Sequence, residues 1–432
     1  MKSRRILSDT GRGFHPTEPI LPCVDAITAE RELSLRPSSP IANLASVVSA
    51  CGLVFYLIAY LYFRSLSGIG LGFGVACAAV LVISNRKTVV NVPLGWIISI
   101  ATVYFFFSVL GLMPKAWTQY FDRVAAFRHY MWVIVVPLFA SAFYIVFRNY
   151  SSNIVRNIFV AILTMYVFSR IAYVLGGQAS FYSLTLYGVN NATTPLLAMV
   201  ILFCYSGSNI YVSAARCLAF IPMLTSQTNL SAGMVALSVI LFGRAKFISG
   251  SFCAAVFGFV LIAPMFFIEL NRVDDNTGIR ALFWHDAIEA VTSTGGVGVG
   301  FGTEYIRNDF SAIRAGSWAI TGEDEANRLF ISTHSGFYDV FLRMGILGAG
   351  ALLAYFLSIF NGVNTENIRI SGAYYSIVSL LVVSVLLNPA LVSIDICIGT
   401  SFLLGILQYL KYLSWVGRGA GGDFGRRRYL RR

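Results

Sequence analysis

Long apolar runs joined by short polar links fill most of this chain, and the pattern breaks once. Runs of roughly 20 apolar residues, the length a helix needs to cross about 30 Å of hydrocarbon, recur from near Ala42 to near Leu410. They begin near Ala42, Leu66, Pro93, Met131, Asn157, Thr193, Asn209, Ser231, Phe247, Ser335, Gly372 and Leu391, those at Asn209 and Ser231 being short and partly polar. Backbone groups in lipid must bond within their own segment, so each run predicts a helix, about 12 in all. The break is the polar segment 271–333. The expected fold class is thus an all-α polytopic membrane protein with one long, partly helical loop outside the bilayer. Its organisation reads as a disordered tail (1–40), nine spans (41–270), the loop (271–333), three spans (334–412) and a basic tail (413–432).

Inside the break, the stretch NTGIRALFWHDAIEAV predicts a helix. Thr277 can cap it, and Ile279, Phe283, Ala287 and Val291 recur at helical spacing. Arg280 falls in its first turn. His285, Asp286 and Glu289 lie off the apolar stripe, as expected for a helix resting flat on the mouth of the bundle. The run GGVGVGFG follows, from Gly295 to Gly302. Neither a soluble strand before it nor a βαβ unit around it supports a phosphate fingerprint, so a tight, close-packed turn is expected. Polarity then ends abruptly at Thr333, which can cap a helix starting at His334 and running into the membrane. At that position the helix dipole would keep an imidazole neutral and able to accept a proton. The bland reading, an interfacial histidine with satisfied hydrogen bonds, stands beside it.

Composition agrees with lipid as the solvent: 57% of residues are hydrophobic and 12% charged, against roughly one quarter charged in soluble domains. The formal net charge of +12 sits largely on one side of the predicted topology, in Arg4, Arg5, Arg12, Arg86, Lys87, Arg148, Arg156, Arg244, Lys246, Arg369 and the tail through Arg432. Basic residues resist translocation, so that side, with both termini, is expected to be cytoplasmic. The same charge would attract anionic membrane lipids. Nucleic acid is not an expected partner, because no recognition module accompanies the basic tail. Lys115, Arg123 and Arg128 run weakly against the trend. None of the seven cysteines lies in the outer loop, so no disulfide framework is implied. Ionisable groups within spans are costly and usually face a cavity or a partner, which singles out Arg170 and Arg216; snorkelling and a buried pairing are their alternatives.

The order of features resembles the O-antigen ligase and polysaccharide polymerase superfamily. It comprises Arg280 with Trp284, alternating glycines from Gly298 to Gly302, and His334-Ser335 opening a span with Gly345 and Gly348. The match covers the last third of the chain; the rest agrees in hydropathy alone. That resemblance implies a GT-C-like, metal-independent inverting glycosyltransferase of the bacterial inner membrane with no cofactor. It would polymerise undecaprenyl-diphosphate-linked repeats of an exopolysaccharide or O-antigen on the periplasmic face, or as a ligase transfer the glycan to lipid A-core. The implied partners are the lipid-linked glycan, an acceptor glycan-lipid, a chain-length regulator and a flippase. Arg280 would hold the leaving diphosphate and His334 would deprotonate the attacking hydroxyl. Arg170 and Arg216 are further diphosphate candidates. The family's Ser-Arg pair before the Ser231 run is absent, since SQTNLSAG stands there. Arg343 occupies the position nine residues after the histidine, where an acidic residue is frequent, and could supply the missing positive charge. A flippase or other transporter of glycan-lipids is the reading from another class. It would place polar residues along a midplane path rather than in one outer segment.

Overall fold

The computed structural model describes residues 40–62, 67–85, 95–116, 121–149, 198, 245–267, 269–270, 275–305, 332–360, 363, 368–387 and 394–429. Among them every regular element is a helix, and the one β-type pairing is an isolated antiparallel bridge between Phe121 and Thr303. The helices are α1 (Pro40–Tyr62), α2 (Ser67–Ser84), α3 (Gly95–Val109), α4 (Arg123–Tyr130) and α5 (Trp132–Asn149). They continue as α6 (Ala245–Ile262), α7 (Asp275–Ser293), α8 (Gly336–Phe360), α9 (Ile368–Leu387) and α10 (Ile394–Tyr429).

Four helical stretches among the described residues are long and apolar enough to cross a membrane: Arg123–Asn149, Lys246–Phe266, Gly336–Phe360 and Ile370–Leu387. Shorter apolar stretches occupy Leu44–Tyr56, Leu71–Ser84 and Gly95–Val109. The runs expected from Asn157, Asn209 and Ser231, and nearly all of the one from Thr193, lie outside the described residues, as do Arg170 and Arg216. Apolar side chains cover the outside of the molecule as well as its core. Trp96, Ile83, Phe55 and Phe247 are among the large exposed ones, an arrangement suited to lipid rather than water.

Helix α5 is the centre of the bundle, packing along α10 and also against α2. Phe143 meets Phe402 edge to face at 5.1 Å, and Phe147 stacks on Tyr409 at 5.7 Å. Gly405 lets the two backbones approach, since a Cβ there would lie 2.7 Å from Phe143 Cβ and 3.0 Å from Ala140 O; small residues serve this purpose between membrane helices. At one end of the bundle Asn149 donates to Asn85 (3.0 Å) and Asn85 to Ser46 (3.1 Å), clamping α5, the end of α2 and α1. The opposite end of the α4–α5 stretch is tied to the glycine run: Asp122 N donates to Gly302 O, and the Asp122 carboxylate caps α4 by accepting from Ala125 N. All the candidate chemistry described below lies at this second end.

Two expectations change. Helix α7 begins at Asp275, so Thr277 lies within it rather than capping it. It is also sunk into the protein rather than resting flat. Its apolar stripe is buried as expected, but so are Ala281, Leu282, Trp284 and Asp286, the last fully. Small Ala281, Ala287 and Ala290 let neighbours close over the helix, and Trp284 is bonded inward.

Candidate active site

The glycine run mends a broken helix. Gly345 inside α8 has φ 60° and ψ −154°, outside helical space, and this kink releases carbonyls from their usual i+4 donors. Leu342 O and Arg343 O instead accept from Val299 N (2.9 Å) and Gly300 N (3.1 Å), while Ile346 N donates to Gly296 O (3.0 Å). Broken backbone inside a membrane helix is tolerated when protein groups restore the bonds. Only glycine fits this contact: a Cβ at Gly298, where φ is +91°, would lie 2.5 Å from Gly345 N, and one at Gly345 would lie 2.1 Å from Gly296 O.

Each N–H from Gly295 to Phe301 already has an acceptor within the protein. Gly295, Gly296 and Val297 bond back to the end of α7. Gly298 donates to Thr294 Oγ1, Val299 and Gly300 to α8, and Phe301 to Ser108 Oγ (2.8 Å). The loop is therefore a structural dock, with no N–H from Gly295 to Phe301 left to cradle a phosphate.

Arg343 lies beneath this dock. Its guanidinium donates through one Nη to Gly300 O (3.2 Å) and Thr303 O (2.5 Å) and stands 5.9 Å from the Tyr305 ring centroid. The side chain is buried. Asp339, one turn earlier on α8 and also buried, interacts favourably with that charge. A small cavity of about 10 Å³ beside them is lined by His129, Trp132, Phe301, Asp339, Arg343 and Met344, room for about one water. Burial pushes the Tyr305 phenol well above its usual range; Asp339 and Asp286 add to this and Arg343 opposes it. Its hydroxyl has no hydrogen-bond partner among the described residues.

At the head of α8 the cap is Ser335 rather than Thr333. Ser335 Oγ accepts from Tyr338 N (3.3 Å), and Ser335 O receives the first helical bond from Asp339 N (2.8 Å). His334 thus stands one residue outside the helix and does not begin it. It is the one described non-glycine residue with positive φ, at 55°, and its side chain is exposed. Its ring stacks on Phe283 of α7, with centroids 5.8 Å apart and planes 10° off parallel. The neighbouring Thr333 O accepts from Trp284 Nε1 (2.8 Å), and the Trp284 indole stacks on Tyr338 at 5.4 Å.

Arg280 lies one turn before Phe283 on α7, a spacing that puts Cβ atoms about 5–6 Å apart. Half-buried, it donates through Nη1 to Leu387 O (3.0 Å), the last residue of α9, where the negative end of a helix dipole favours a cation. So α7 holds both groups: Arg280 in its own first turns, and, one turn on, His334 stacked on Phe283 with its neighbour Thr333 bonded to Trp284.

His285, Asp286 and Glu289 each offer one metal-ligating atom, all within 4.8 Å of one another. Asp286 approaches His285 Nδ1 (3.8 Å) while Glu289 approaches Nε2 (3.9 Å), so the ring stands between the two carboxylates. Sequence reasoning passed over Asp339 and His129, and put Asp286 on the polar face of its helix although it is buried. The available signal was an ionisable residue inside an apolar run, with Asp339 four residues before Arg343. No protein-family model matches the chain, and no curated protein matches it.

Proposed function

We propose that the protein is a membrane glycosyltransferase that polymerises undecaprenyl-diphosphate-linked oligosaccharide repeats, with both chain termini cytoplasmic and about 12 spans completing the bundle. The observation that carries this reading is that α7 serves both groups: the exposed His334 imidazole, in a left-handed backbone conformation, stacks on Phe283, and the half-buried Arg280 lies one turn before Phe283 on the same helix. Non-glycine residues held in that region are uncommon and cluster where function needs them.

In this mechanism Arg280 binds the diphosphate of the donor and stabilises the negative charge that grows as the glycosidic oxygen departs. His334 accepts the proton of the attacking sugar hydroxyl. The acceptor oxygen forms a bond to the anomeric carbon from the face opposite the leaving group, the configuration inverts, and lipid diphosphate leaves. Leu387 O orients Arg280, and the Phe283 ring fixes the plane of the imidazole. Arg343, bonded to loop carbonyls, supports this mouth from beneath. Arg170 and Arg216 remain candidates for further contacts to the diphosphate.

Alanine substitution of Arg280 and of His334, with protein levels matched, tests the reading through glycan length in cells. A polymerase leaves single repeats when either residue is lost. Long chains stranded on the lipid carrier would point to a ligase. Normal chains from both variants would contradict an enzymatic role for the pair and favour a transporter.

A further inference from the structure

The residues flanking His334 are bonded far more heavily than a surface turn requires. Asp339 is the hub: its Oδ2 accepts from Ser332 Oγ (2.7 Å), and its Oδ1 accepts from Thr333 N (2.9 Å) and Thr333 Oγ1 (2.8 Å). Ser332 Oγ in turn accepts from His334 N (3.1 Å), and Thr333 Oγ1 from Ser335 N (3.3 Å). The carboxylate therefore reaches both peptide N–H groups that bracket His334 through one intervening hydroxyl each. Thr333, Ser335 and Asp339 are all buried, whereas the His334 side chain is exposed.

A buried carboxylate is costly unless it is charge-compensated and hydrogen-bonded. Arg343, buried one turn further along α8, supplies the compensating charge while its guanidinium grips Gly300 O and Thr303 O. Hydrogen bonds thus tie Arg343 to the glycine dock and Asp339 to the Ser332–Ser335 turn, and the two side chains face one another only through their charges. These bonds hold His334 in a left-handed conformation that glycine adopts freely and that a side chain adopts at a cost.

We infer that Asp339 is a positioning residue: its buried carboxylate, compensated by Arg343, locks the 332–335 turn so that the His334 imidazole is presented over Phe283 in a single orientation. This rests on the proposed role of His334 as the base, but it makes a separate structural claim. Asp339 touches neither substrate nor reacting atoms; it acts through the turn.

The full chain has four histidines, few enough to follow by NMR of imidazole-15N-labelled protein in lipid nanodiscs, with the His334 signals assigned by their loss in His334→Ala. The variants are Asp339→Asn, which keeps shape and one acceptor, and Ser332→Ala, which removes a single link should the first fold poorly. The expected result is one sharp set of His334 signals in the wild type, carrying the ring-current shift of Phe283, and broadened or multiple sets in both variants. Transfer by Asp339→Asn should show kcat reduced by up to about 100-fold, the scale of a small misplacement of a reacting group, with KM within about threefold, since substrate contacts are untouched. Unchanged His334 signals in both variants would overturn the positioning role, as would wild-type kcat in a variant whose signals had dispersed. If His334→Ala transfers at the wild-type rate the glycosyltransferase reading fails, and the NMR comparison alone then decides whether Asp339 orders the turn.

Discussion

Replacing His334 by glycine should leave the protein inactive yet more stable than its alanine counterpart. The backbone there has φ 55°, a region that costs an L-residue about 1–2 kcal/mol and costs glycine essentially nothing. Glycine returns about 0.4–1 kcal/mol of this through the greater freedom of its unfolded chain. The proper reference is His334→Ala, because both variants lose the stack on Phe283 and differ only in the backbone. Subtracting the midpoints of the two contributions leaves His334→Gly more stable than His334→Ala by about 0.8 kcal/mol. Unfolding of the purified variants by sodium dodecyl sulfate in mixed micelles resolves such a difference, and glycan transfer is measured on the same samples. A glycine variant no more stable than the alanine variant would refute the claim that the turn is strained. A glycine variant that still transfers glycan would refute the claim that the strain serves the imidazole.

Four further outcomes are expected. Gly298→Ala should lower stability by about 2–4 kcal/mol, combining left-handed strain with overpacking against Gly345 N, visible as a lower unfolding midpoint. Arg343→Met strips Gly300 O and Thr303 O of a buried donor and should cost about 1–3 kcal/mol; combining it with Asp339→Asn in a double-mutant cycle measures how far the two buried charges depend on each other. Trp284→Phe removes the bond to Thr333 O and should cost about 1–2 kcal/mol, with kcat falling more than KM rises. The raised Tyr305 phenol favours the protonated native state, so its contribution to stability is whole below the unfolded tyrosine pKa of about 10 and declines as pH rises above it. Alkaline unfolding of Tyr305→Phe should therefore show a shallower pH dependence than the wild type.

The helices around the site were legible because lipid demands long apolar runs, and the pattern places the starts of α3, α5, α6, α8, α9 and α10 within a few residues of where they lie, although α10 continues to Tyr429, well past the expected end near Leu410. Helix α7 was legible from the spacing of Ile279, Phe283, Ala287 and Val291. Its depth was not: burial of Asp286 depends on which elements close over the helix, and helical periodicity records only the strongest face. The close-packed nature of GGVGVGFG could be read from its setting. Its partner could not, because the kink at Gly345 is a tertiary event in which a loop replaces helical bonds. The helix start expected at His334 was misplaced by two residues, since α8 begins at Gly336. Thr333 and Ser335 are both good caps, and the choice between them was made by Asp339, which draws Thr333 away from the helix. The placement of Arg343 was equally hidden, since a cation on an apolar helix reads the same whether it faces a ligand or buried carbonyls.

The most direct test of the central claim is single-turnover transfer by purified protein in nanodiscs, using a synthetic undecaprenyl-diphosphate-linked repeat and following release of the lipid diphosphate. The account predicts release and chain extension by the wild type, with both lost together in Arg280→Ala and in His334→Ala at unchanged folding. Diphosphate release at the wild-type rate from either variant would contradict it.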